Sequence, residues 1–578
     1  MTRIFDDPAE FTADAVEGFA DLYASHVRAV PGGVVRRAKP RSPKVAVLVG
    51  GGSGHYPAFM GVVGPGFADG AVVGNIFTSP STAQAYSVGR IAHSGAGVIF
   101  TYGNYAGDVM NFGMAGERLQ ADGIDARQLL VTDDIASASP AEAAKRRGIA
   151  GDFVVFKVLG AAAERGLDID EVERLGLLAN ARTYTLGIAF SGSTFPGADE
   201  PLFSVPDGQM GLGLGIHGEP GLEDVASLPA PKLAQLLVDR LLDERPAGSG
   251  DRVGVILNGL GTTKYEELFV LWKSASALLR EAGLTIVAPE VGELVTSLDM
   301  GGVSLTLTWL DDELEPLWLD AASTPAFRRG AVAETLTAED SSDDDVAVVD
   351  TRPVEGDAAS QRVAAVVLSA LTAAQSAVHD AEQELGRMDA VAGDGDHGRG
   401  MVRGIDHAVT ASSVAAETGW GARGVLEAAG DAWAEFAGGT SGVLWGAGLR
   451  AFGAVLGNSG RPEPTQVAEA VRAYLQSMFD LGKASAGDKT LLDAVIPFTE
   501  ALEHEAAAGR DLASAWETAV VAAVTGAEAT ASLSPKVGRA RPLAARSVGT
   551  PDPGAVSFGI CVRAISGVVA TTSCADGE

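Results

Sequence analysis

The sequence predicts an α/β half made of two subdomains, followed by an all-α half. Three observations support this fold class. Up to about residue 330, short runs of Val, Ile and Leu that end in glycine turns alternate with helical stretches, which indicates a mostly parallel sheet covered on both faces. The next stretch loses periodicity and gathers acidic residues, Ser and Thr, as solvated linkers do. Beyond it, Ala-rich segments carry apolar residues at helical spacing.

These patterns give the domain boundaries. We predict a domain of residues 1–330 that divides near residue 190, an acidic linker over residues 331–360 and a helical domain over residues 361–578. The chain of 578 residues is too long for a single hydrophobic core, and its length alone predicts about two to four domains.

The strand candidates of the first half are short apolar runs. They are "KVAVLVG", "GAVVGN", "GVIFTYG", "RQLLVTDDI" and "DFVVFKVLG" in the first subdomain, then "RVGVILNGLG", "LTIVAPEVG" and "GVSLTLTWLD" in the second. The segment "YEELFVLWKSASALLREAG" has helical spacing between two of them. In the second half the helical pattern begins with "QRVAAVVLSALTAAQSAVHDAEQELG" and returns in later segments such as "TQVAEAVRAYLQSMFDLG".

Composition excludes some classes of partner and compartment. Asp and Glu number 75 against 43 Lys and Arg, so nucleic acid and anionic membranes are disfavoured as partners. Only two cysteines occur, which excludes a disulfide framework and fits a reducing cytoplasm. The first residues lack the apolar core of a signal peptide, and no run of about eighteen apolar residues is present, so we expect neither secretion nor membrane spanning.

An acidic glycine loop, "MDAVAGDGDHGRGM", spans residues 388–401. It is not an EF-hand, because the fifth position counted from Asp394 is Gly398 rather than an oxygen ligand. In an extended loop Asp394 and Asp396 project together, and Asp389 can join them from the preceding helix. Such carboxylates repel one another unless a divalent cation lies among them, and oxygen ligands suit Mg²⁺ on nucleotide phosphates. An Asp-Gly surface turn remains the alternative.

Further glycine loops occur in the helical half. In "AGGTSGVLWGAGL" the backbone N–H groups of residues 439–442 begin a helix, which suits a phosphate group. The segments "GKASAGDKT" and "GRARPLAARSVGTPDPGAVS" contribute Lys489, Arg539 and Arg546. No Walker A sequence is present, so any ATP site here would work without a P-loop.

Two histidines of the first half lie among glycines. His55, in "GGGSGHYP", follows a predicted strand and so lies at its carboxyl end, where ligands bind in open α/β sheets. His217 lies in "GLGIHGEPG", whose match to a dinucleotide-binding pattern lacks a strand-to-helix context and is treated as chance. With Asp108 after another strand, they form a candidate acid–base or nucleophile set. Taken singly, each histidine is more often structural.

Several of these motifs together resemble one family. "GGGSGHYPAF", "GNIFTSPS", "NYAGDVMNFGMAGERL", "GLGIHGEPG" and "TSLDMGGVSLTL" look like the substrate-binding half of dihydroxyacetone kinases. "MDAVAGDGDHGRGMVRG", "GGTSGVLWG", "GDKTLLDAVIPF" and "DPGAVSFGI" look like their nucleotide-binding half. The resemblance covers nearly the whole chain, in the order of the fused, ATP-dependent enzymes.

The resemblance implies that the first half binds a short ketose. His217 would attack the substrate carbonyl through a ring nitrogen and hold the sugar as a hemiaminal. Asp108 and His55 would handle protons around the attacking hydroxyl, with Asp108 the preferred base. The residues implied to line the substrate are Gly52, Ser53, Gly54, His55, Gly103 and Asp108.

For the second half the resemblance implies an antiparallel helical barrel that holds ATP and two Mg²⁺ ions, in a protein that is a homodimer. The implied metal ligands are Asp389, Asp394 and Asp396. The implied nucleotide contacts are His397, Gly398, Arg399, Gly400, Thr440, Ser441, Gly482, Leu491, Arg539, Asp552, Pro553 and Gly554.

Three positions depart from the family pattern. Gly103 stands where many members have Lys, Tyr56 where they often have Glu, and Leu491 where they have Met. Loss of the Lys would free volume beside a three-carbon substrate, which suggests a longer ketose such as erythrulose. Replacement of the Lys by another residue, with dihydroxyacetone as substrate, is weighted equally. The Leu491 exchange nearly conserves volume and should matter little.

Other functions remain open from sequence. One is a phosphorelay component recharged by a partner protein, which the fusion of both halves disfavours. Another is cyclisation of FAD at the nucleotide site, a side activity of the family. A ligand-binding regulator without turnover would need a broken acidic triad or the loss of His217, and the sequence has neither.

Overall fold

The computed structural model describes residues 2–40, 42–219, 221–332, 355–393, 395, 397–482, 484–536 and 544–574. The chain forms two compact units, Met1–Val349 and Asp350–Glu578. Most of the predicted linker, residues 333–354, lies outside the described residues, and its last three residues belong to a helix that begins at Ala358. The predicted fold class, an α/β half followed by an all-α half, is confirmed.

The first unit contains two six-stranded sheets. Elements up to the second sheet are α1 (Phe11–Leu22), β1 (Val27–Val30), β2 (Gly33–Arg36), β3 (Ala46–Ser53), β4 (Gly70–Ile76), α2 (Thr82–Ala92), β5 (Val98–Gly103), α3 (Ala106–Ala121), β6 (Ala126–Val131), α4 (Asp152–Glu164) and α5 (Ile169–Asn180). The remaining elements are β7 (Thr183–Ser191), β8 (Gln209–Leu212), β9 (Glu223–Ala226), α6 (Ala230–Asp243), β10 (Arg252–Gly259), α7 (Tyr265–Glu281), β11 (Thr285–Gly292), β12 (Gly301–Trp309), α8 (Leu314–Leu319), β13 (Ala322–Ser323) and β14 (Arg328–Arg329).

The first sheet has the order β1-β2-β4-β3-β5-β6, and its last four strands are parallel. Strands β3 and β5 are buried along almost their whole length, which explains why they read as continuous Val, Ile and Leu runs. Because parallel strands end at the same edge, the loops that carry His55, Phe77 and Tyr105 emerge together.

The second sheet has the order β11-β10-β12-β7-β8-β9 and is mostly antiparallel, with only the β10–β11 pair parallel. The expectation of a mostly parallel sheet therefore holds for the first subdomain and is wrong for the second. The second sheet begins at Thr183, a few residues before the expected division near residue 190.

The predicted strand "DFVVFKVLG" is instead helix α4, Asp152–Glu164. Twelve of its thirteen residues are buried, so no polar face interrupts the apolar run and no helical period is visible in the sequence. A short apolar run of this kind fits a buried strand and a buried helix equally well. Burial on all sides is therefore the reason that the prediction was wrong.

In the described residues of the second unit the regular elements are helices, joined by loops, with one isolated β-bridge between Glu355 and Trp420. Its elements are α9 (Ala358–Asp389), α10 (His397–Glu417), α11 (Ala422–Ala437), α12 (Gly439–Leu456), α13 (Pro464–Gly482), α14 (Leu492–Ala507), α15 (Leu512–Ala529), α16 (Ala544–Ser547) and α17 (Pro553–Cys574). Successive long helices pack against each other, and α17 returns to pack against α9, which closes the ring into a barrel.

Neighbouring helices of the barrel run antiparallel because their connections are short. The α11–α12 turn shows this directly. Gly430 and Gly446 stand eight residues on either side of Gly438, and a Cβ on Gly446 would lie 2.4 Å from the carbonyl oxygen of Gly430. The alternation brings the C-termini of α9, α11, α13 and α15 to one end of the barrel, with the N-termini of α10, α12, α14 and α17.

Two barrel helices are also long and apolar enough to cross a membrane when judged by length and composition alone. They are Ala358–Asp389 and Pro553–Thr571, found in a search limited to the described residues. They pack against each other in the barrel, and the core helix of a globular protein passes the same test.

Candidate active site

The two predicted histidines meet in the first unit. The Nε2 atoms of His55 and His217 are 3.0 Å apart, although 162 positions separate the residues in sequence. His55 follows strand β3, and His217 lies in the loop between β8 and β9. Ser297 fixes this second loop through a hydrogen bond from its hydroxyl to the carbonyl of Ile216. The pair therefore joins the edges of the two sheets.

His55 is enclosed and neutral. Its Nδ1 lies 2.7 Å from the carbonyl oxygen of Thr296, which can only accept, so Nδ1 carries the proton. Burial, with the neighbouring His217 as a smaller cause, lowers the pKa of His55 to about 3. The Nε2 atom of His55 therefore presents a lone pair to His217.

A carboxylate orients His217 from its other side. Glu219 accepts a hydrogen bond from Nδ1 of His217 at 2.9 Å and another from the backbone N–H of His217 at 3.0 Å. Burial alone would raise the pKa of Glu219, but His217 and Arg147 hold it well below the ordinary value. Because Nδ1 donates to this carboxylate, Nε2 is the nitrogen of His217 that is free to react.

Arg147 connects Glu219 to a buried acid. Its guanidinium donates to Asp134 at 3.0 and 2.8 Å, and one of its nitrogens lies 3.7 Å from Glu219. Asp134 follows strand β6 and is almost fully buried. Glu219, Arg147 and Asp134 alternate in charge, and this chain of contacts holds the carboxylate that orients the His217 ring.

Aromatic rings and close backbone enclose the histidine pair. Phe77 stacks on His55 with ring centroids 5.0 Å apart, and Tyr105 meets His217 edge-on at 4.8 Å. The glycines of the β3 loop allow this approach: a Cβ on Gly52 would lie 2.4 Å from the backbone nitrogen of Thr78, and one on Gly54 2.7 Å from the Phe77 ring. Ser53 ends the strand and exchanges a hydrogen bond of 2.9 Å with Thr12.

Asp108 lies in the first turn of α3, three residues after Tyr105. It is buried, and its Oδ1 has no hydrogen-bond partner among the described residues. Burial raises the pKa of Asp108 to about 7, while a hydrogen bond with Ser79 opposes the rise. Its contacts run to Ser79 rather than to the two histidines, so the structure does not join all three predicted catalytic residues directly.

Gly103 does not border open space. A Cβ at this position would lie 2.8 Å from the ring of Tyr105 and 3.0 Å from the carbonyl oxygen of Gly148. Tyr105 also donates its hydroxyl to that carbonyl at 3.0 Å. We expected the missing Lys side chain to leave free volume at Gly103. That expectation is wrong for the Cβ position, because the Tyr105 ring occupies the space that a Cβ would need. At the other departure, Tyr56, the side chain packs edge-on against Phe19.

The second predicted site lies at the end of the barrel where the glycine connections gather. Asp389 ends α9, and its Oδ2 accepts the backbone N–H groups of Gly395 at 2.9 Å and His397 at 3.4 Å. This folds the acidic loop back onto the helix end. Asp394 and Asp396, the other two predicted ligands, lie outside the described residues. Within the described part of the chain no cluster of three metal-binding side chains is formed.

The charge around Asp552 nevertheless fits a cation. Burial raises the pKa of Asp552 to about 7, and the negative charges of Asp493 and Asp389 add to the effect. Asp493 accepts backbone N–H groups of Gly487 and Thr490, so it is held in place. Carboxylates gathered in this way are stabilised by a divalent ion, and oxygen donors suit Mg²⁺.

Most predicted nucleotide contacts lie on the loops and helix starts at this end. His397 begins α10 and reaches Ser557 of α17 at 3.1 Å. Asp552 caps α17 by accepting the N–H of Ala555 at 2.7 Å, and a Cβ on Gly554 would lie 3.5 Å from Leu491. The others at this end are Gly398, Arg399, Gly400, Thr440, Ser441, Gly482 and Pro553. Arg539 lies outside the described residues.

Sequence reasoning missed several residues of these sites. Glu219 stands two positions after His217 inside a segment already singled out, and an acid so close was a usable signal. Asp134 is the second-last residue of the segment "RQLLVTDDI", just after its apolar run, and an acid in that place was also a usable signal. Arg147 carries no local pattern. Thr296 begins the quoted segment "TSLDMGGVSLTL", but nothing in that segment indicates that its carbonyl meets His55, since only the fold brings them together.

Comparison with known proteins assigns both halves. The Dak1 domain family matches residues 17–326, and the DAK2 domain family matches residues 391–567. The D-erythrulose kinase of Mycolicibacterium smegmatis is 56% identical over 98% of this chain and 99% of its own length. The L-erythrulose kinase of Pectobacterium atrosepticum is 52% identical over 98% of this chain and 97% of its own length.

Among solved structures, the dihydroxyacetone kinase from C. freundii in complex with AMP-PNP and Mg²⁺ aligns with a TM-score of 0.52 and 27% identity. The alignment covers 98% of this chain and 99% of that one. These relatives therefore match both halves of the chain, and each is aligned over nearly its full length.

Proposed function

Because the chain belongs to the dihydroxyacetone kinase family and is an ATP-dependent ketose kinase, we propose that it phosphorylates a terminal hydroxyl of a short ketose held covalently on His217. The observation that supports this most is the position of the His217 ring between Glu219 at Nδ1 and His55 at Nε2. A histidine with one nitrogen fixed by a carboxylate offers the other as a nucleophile.

The hemiaminal forms by addition to the ketose carbonyl. The Nε2 lone pair of His217 bonds to the carbonyl carbon, the C=O π bond breaks, and its electron pair moves to oxygen. The proton that lies between the two Nε2 atoms passes to His55 as this bond forms, and His55 then gives it to the new oxygen, which becomes the hydroxyl. Glu219 stabilises the positive charge that develops on the His217 ring. Alcohols such as glycerol have no carbonyl and are excluded at this step.

Phosphoryl transfer then needs a base at the attacking hydroxyl. We propose Asp108 for this role, because a pKa of about 7 matches proton transfer near neutral pH. The hydroxyl oxygen attacks the γ-phosphorus of ATP, its proton passes to Asp108, and ADP leaves. Gly52, Ser53, Gly54 and Gly103 would surround the ketose through backbone rather than through bulky side chains.

The nucleotide would bind at the glycine-rich end of the barrel. Asp389, Asp394 and Asp396 would hold Mg²⁺, for which we propose two ions, and Asp552 lies among the carboxylates that would face them. When bound, Mg²⁺ neutralises charge on the phosphates and orients them. The N–H groups at the starts of α10, α12 and α17 point toward the same end and would donate to phosphate oxygens.

Erythrulose is the proposed substrate ahead of dihydroxyacetone. Two relatives more than 50% identical over nearly the full length carry names of erythrulose kinases, one for the D and one for the L enantiomer. We further propose that residues 1–330 form the ketose domain and residues 361–578 the ATP domain, in a cytoplasmic homodimer whose partners are small molecules.

The direct test is a kinetic panel on purified protein with Mg²⁺-ATP. ADP release is measured with dihydroxyacetone, glyceraldehyde, D-erythrulose and L-erythrulose, for the natural chain and for His217→Ala. We expect turnover with at least one erythrulose enantiomer, and a loss of kcat/KM of at least a hundredfold in the variant.

Two outcomes would contradict the proposal. Turnover that appears only after a phosphocarrier protein is added would favour a phosphorelay instead. An undiminished kcat/KM in His217→Ala would remove the hemiaminal while leaving the kinase assignment intact.

A further inference from the structure

Asp152 is a buried acid for which the mechanism above has no use. It lies in the first turn of α4, is only 4% exposed, and its Oδ1 has no hydrogen-bond partner among the described residues. A buried carboxyl oxygen without a partner loses its hydration with no compensation. Such a group is kept in a fold only where something repays that cost.

The unpaired oxygen lies beside Gly103, the position where the chain departs from its family. A Cβ on Gly148 would stand 2.7 Å from Oδ1 of Asp152 and 2.4 Å from the Cα of Gly103. Gly148 also accepts the hydroxyl of Tyr105, whose ring packs on His217. Asp152 therefore belongs to the wall that begins at the reactive histidine and runs through Tyr105 and Gly103.

Charge agrees with this placement. Burial raises the pKa of Asp152 well above its ordinary value, and the nearby carboxyls of Asp133 and Asp108 add to the rise. Asp108, the proposed base, is thus close enough for its charge to act on Asp152. A protonated carboxyl donates one hydrogen bond and accepts others, which suits a sugar hydroxyl.

The neighbouring Asp133 behaves differently. Its two oxygens accept the backbone N–H groups of Ile149 at 2.9 Å and Gly151 at 2.7 Å, so it fixes the turn before α4. Both carboxyl oxygens of Asp133 thus have hydrogen-bond partners within the protein, as expected for a residue with a structural role. Asp152 has no such contact at Oδ1, and a neutral carboxyl at a helix N-terminus gains little from the helix dipole.

We propose that Asp152 is a specificity-determining residue that hydrogen-bonds the secondary hydroxyl of a four-carbon ketose. The inference rests on the proposed function above and deepens it. Dihydroxyacetone has only terminal hydroxyls, whereas erythrulose adds one CHOH group next to the carbonyl. At position 103 this chain has a glycine, and close to it lies a carboxyl whose Oδ1 has no hydrogen-bond partner among the described residues.

The test compares three ketoses in the natural chain and in Asp152→Ala. They are dihydroxyacetone, the preferred erythrulose enantiomer and 1,4-dihydroxybutan-2-one, which keeps four carbons and both terminal hydroxyls but lacks the secondary one. We expect kcat/KM for erythrulose to fall at least tenfold in the variant and that for dihydroxyacetone less than threefold. When 1,4-dihydroxybutan-2-one replaces erythrulose, kcat/KM of the natural chain should fall by a similar factor. The kcat/KM of the variant should hardly change with the same replacement.

If the Ala variant does not fold, Asp152→Asn takes its place. The ratio of kcat/KM for erythrulose to kcat/KM for dihydroxyacetone should then fall at least threefold. Asp168→Ala is the matched control. It removes the exposed acid that caps α5 by accepting the N–H of Glu171 at 2.9 Å, should lower the midpoint of thermal unfolding, and should leave that ratio within twofold.

Equal losses for all three ketoses, or no loss for any, would overturn the inference while the kinase assignment stands. A natural chain that phosphorylates none of the three would instead overturn the proposed function, and the role of Asp152 with it.

Discussion

At the scale of single residues, reactivity depends on which nitrogen of His217 carries a proton. Glu219 fixes the proton on Nδ1, and neutral His55 faces Nε2. Neither contact would be expected from a surface histidine, whose two nitrogens exchange protons with water. This arrangement would leave the imidazole with one defined reactive atom, as the proposed attack on the ketose requires.

Replacing Glu219 with Gln should weaken this control without removing the nucleophile. Glutamine lacks the negative charge that stabilises the His217 ring and pairs with Arg147, so we expect kcat/KM for the ketose to fall about tenfold to a hundredfold. With ¹³C at the ketose carbonyl, NMR should show a smaller population of tetrahedral carbon. The KM for ATP should not change.

Glu223→Gln is the control for this variant, because Glu223 is an exposed acid on β9, four positions further on. It should leave all kinetic constants within twofold. Equal hemiaminal populations in the Glu219→Gln variant and the natural chain would mean that the carboxylate has no part in orienting His217.

Asp108 gives a prediction about pH. Since burial raises its pKa to about 7, the carboxylate needed as a base is lost as pH falls through this value, and kcat/KM should fall tenfold per pH unit below it. The hydrogen bond from Ser79 favours the ionised form, so Ser79→Ala should move this acidic limb to higher pH. Asp108→Asn should abolish the limb together with most activity. A profile that is flat from pH 5.5 to 8 would contradict the assignment.

The candidate site could be predicted in part from sequence at this scale. His55, His217 and Asp108 were found because each follows a strand or lies among glycines, and those signals are local. Arg147, Thr296 and Asp152 were missed because their importance comes from contacts across the unit. Asp152 in particular was hidden inside an apolar run read as a strand, although its carboxyl lies beside Gly103.

At the scale of elements, the barrel explains why the glycine-rich connections gather at one end. Eight long helices alternate in direction, so every second connection reaches the same end. The sequence predicted these helices from their apolar spacing and predicted the glycine loops as phosphate contacts. Their meeting at one end follows from short connections between antiparallel neighbours. Helix α4 is the opposite case, since uniform burial erased the period that identifies a helix.

One buried lysine ties together the segment that leads to Asp552. Lys489 donates from its Nζ to the carbonyl oxygens of Leu533 at 3.2 Å, Ser547 at 2.7 Å and Thr550 at 2.8 Å. Lys489→Met would leave these carbonyls without that donor, and we expect a loss of about 3 kcal/mol in the free energy of unfolding. The KM for ATP should rise several-fold, because Asp552 follows directly.

Lys536→Met is the matched control for this element. Lys536 is exposed and lies 3.4 Å from Asp488 in a surface ion pair, so its removal should change the free energy of unfolding by less than about 0.5 kcal/mol. Chemical denaturation and ATP titration measure both effects. Similar results for the two lysine variants would show that the three carbonyl contacts do not anchor the segment.

At the scale of the whole molecule, the two proposed chemical tasks fall in different units. The residues proposed to capture the ketone all lie in Met1–Val349, and those proposed to hold Mg²⁺-ATP all lie in Asp350–Glu578. The sequence revealed this division because the two halves differ in texture, one with buried strands and one with Ala-rich helices. The antiparallel second sheet was missed, since strand direction depends on connections that a strand pattern does not encode.

This division predicts that ketone capture does not require the nucleotide or its metal. Full-length protein treated with EDTA, without ATP, should still convert the ¹³C-labelled carbonyl of a bound ketose to tetrahedral carbon. The reason is that His217, Glu219 and His55 are not among the proposed Mg²⁺ ligands. Phosphorylation should be absent in this sample and should begin once Mg²⁺ and ATP are both added. His217→Ala should show the reverse pattern, with ATP binding intact and no tetrahedral carbon. A hemiaminal that forms only after Mg²⁺-ATP is added would contradict the independence of the two sites, because nucleotide binding would then control the state of His217.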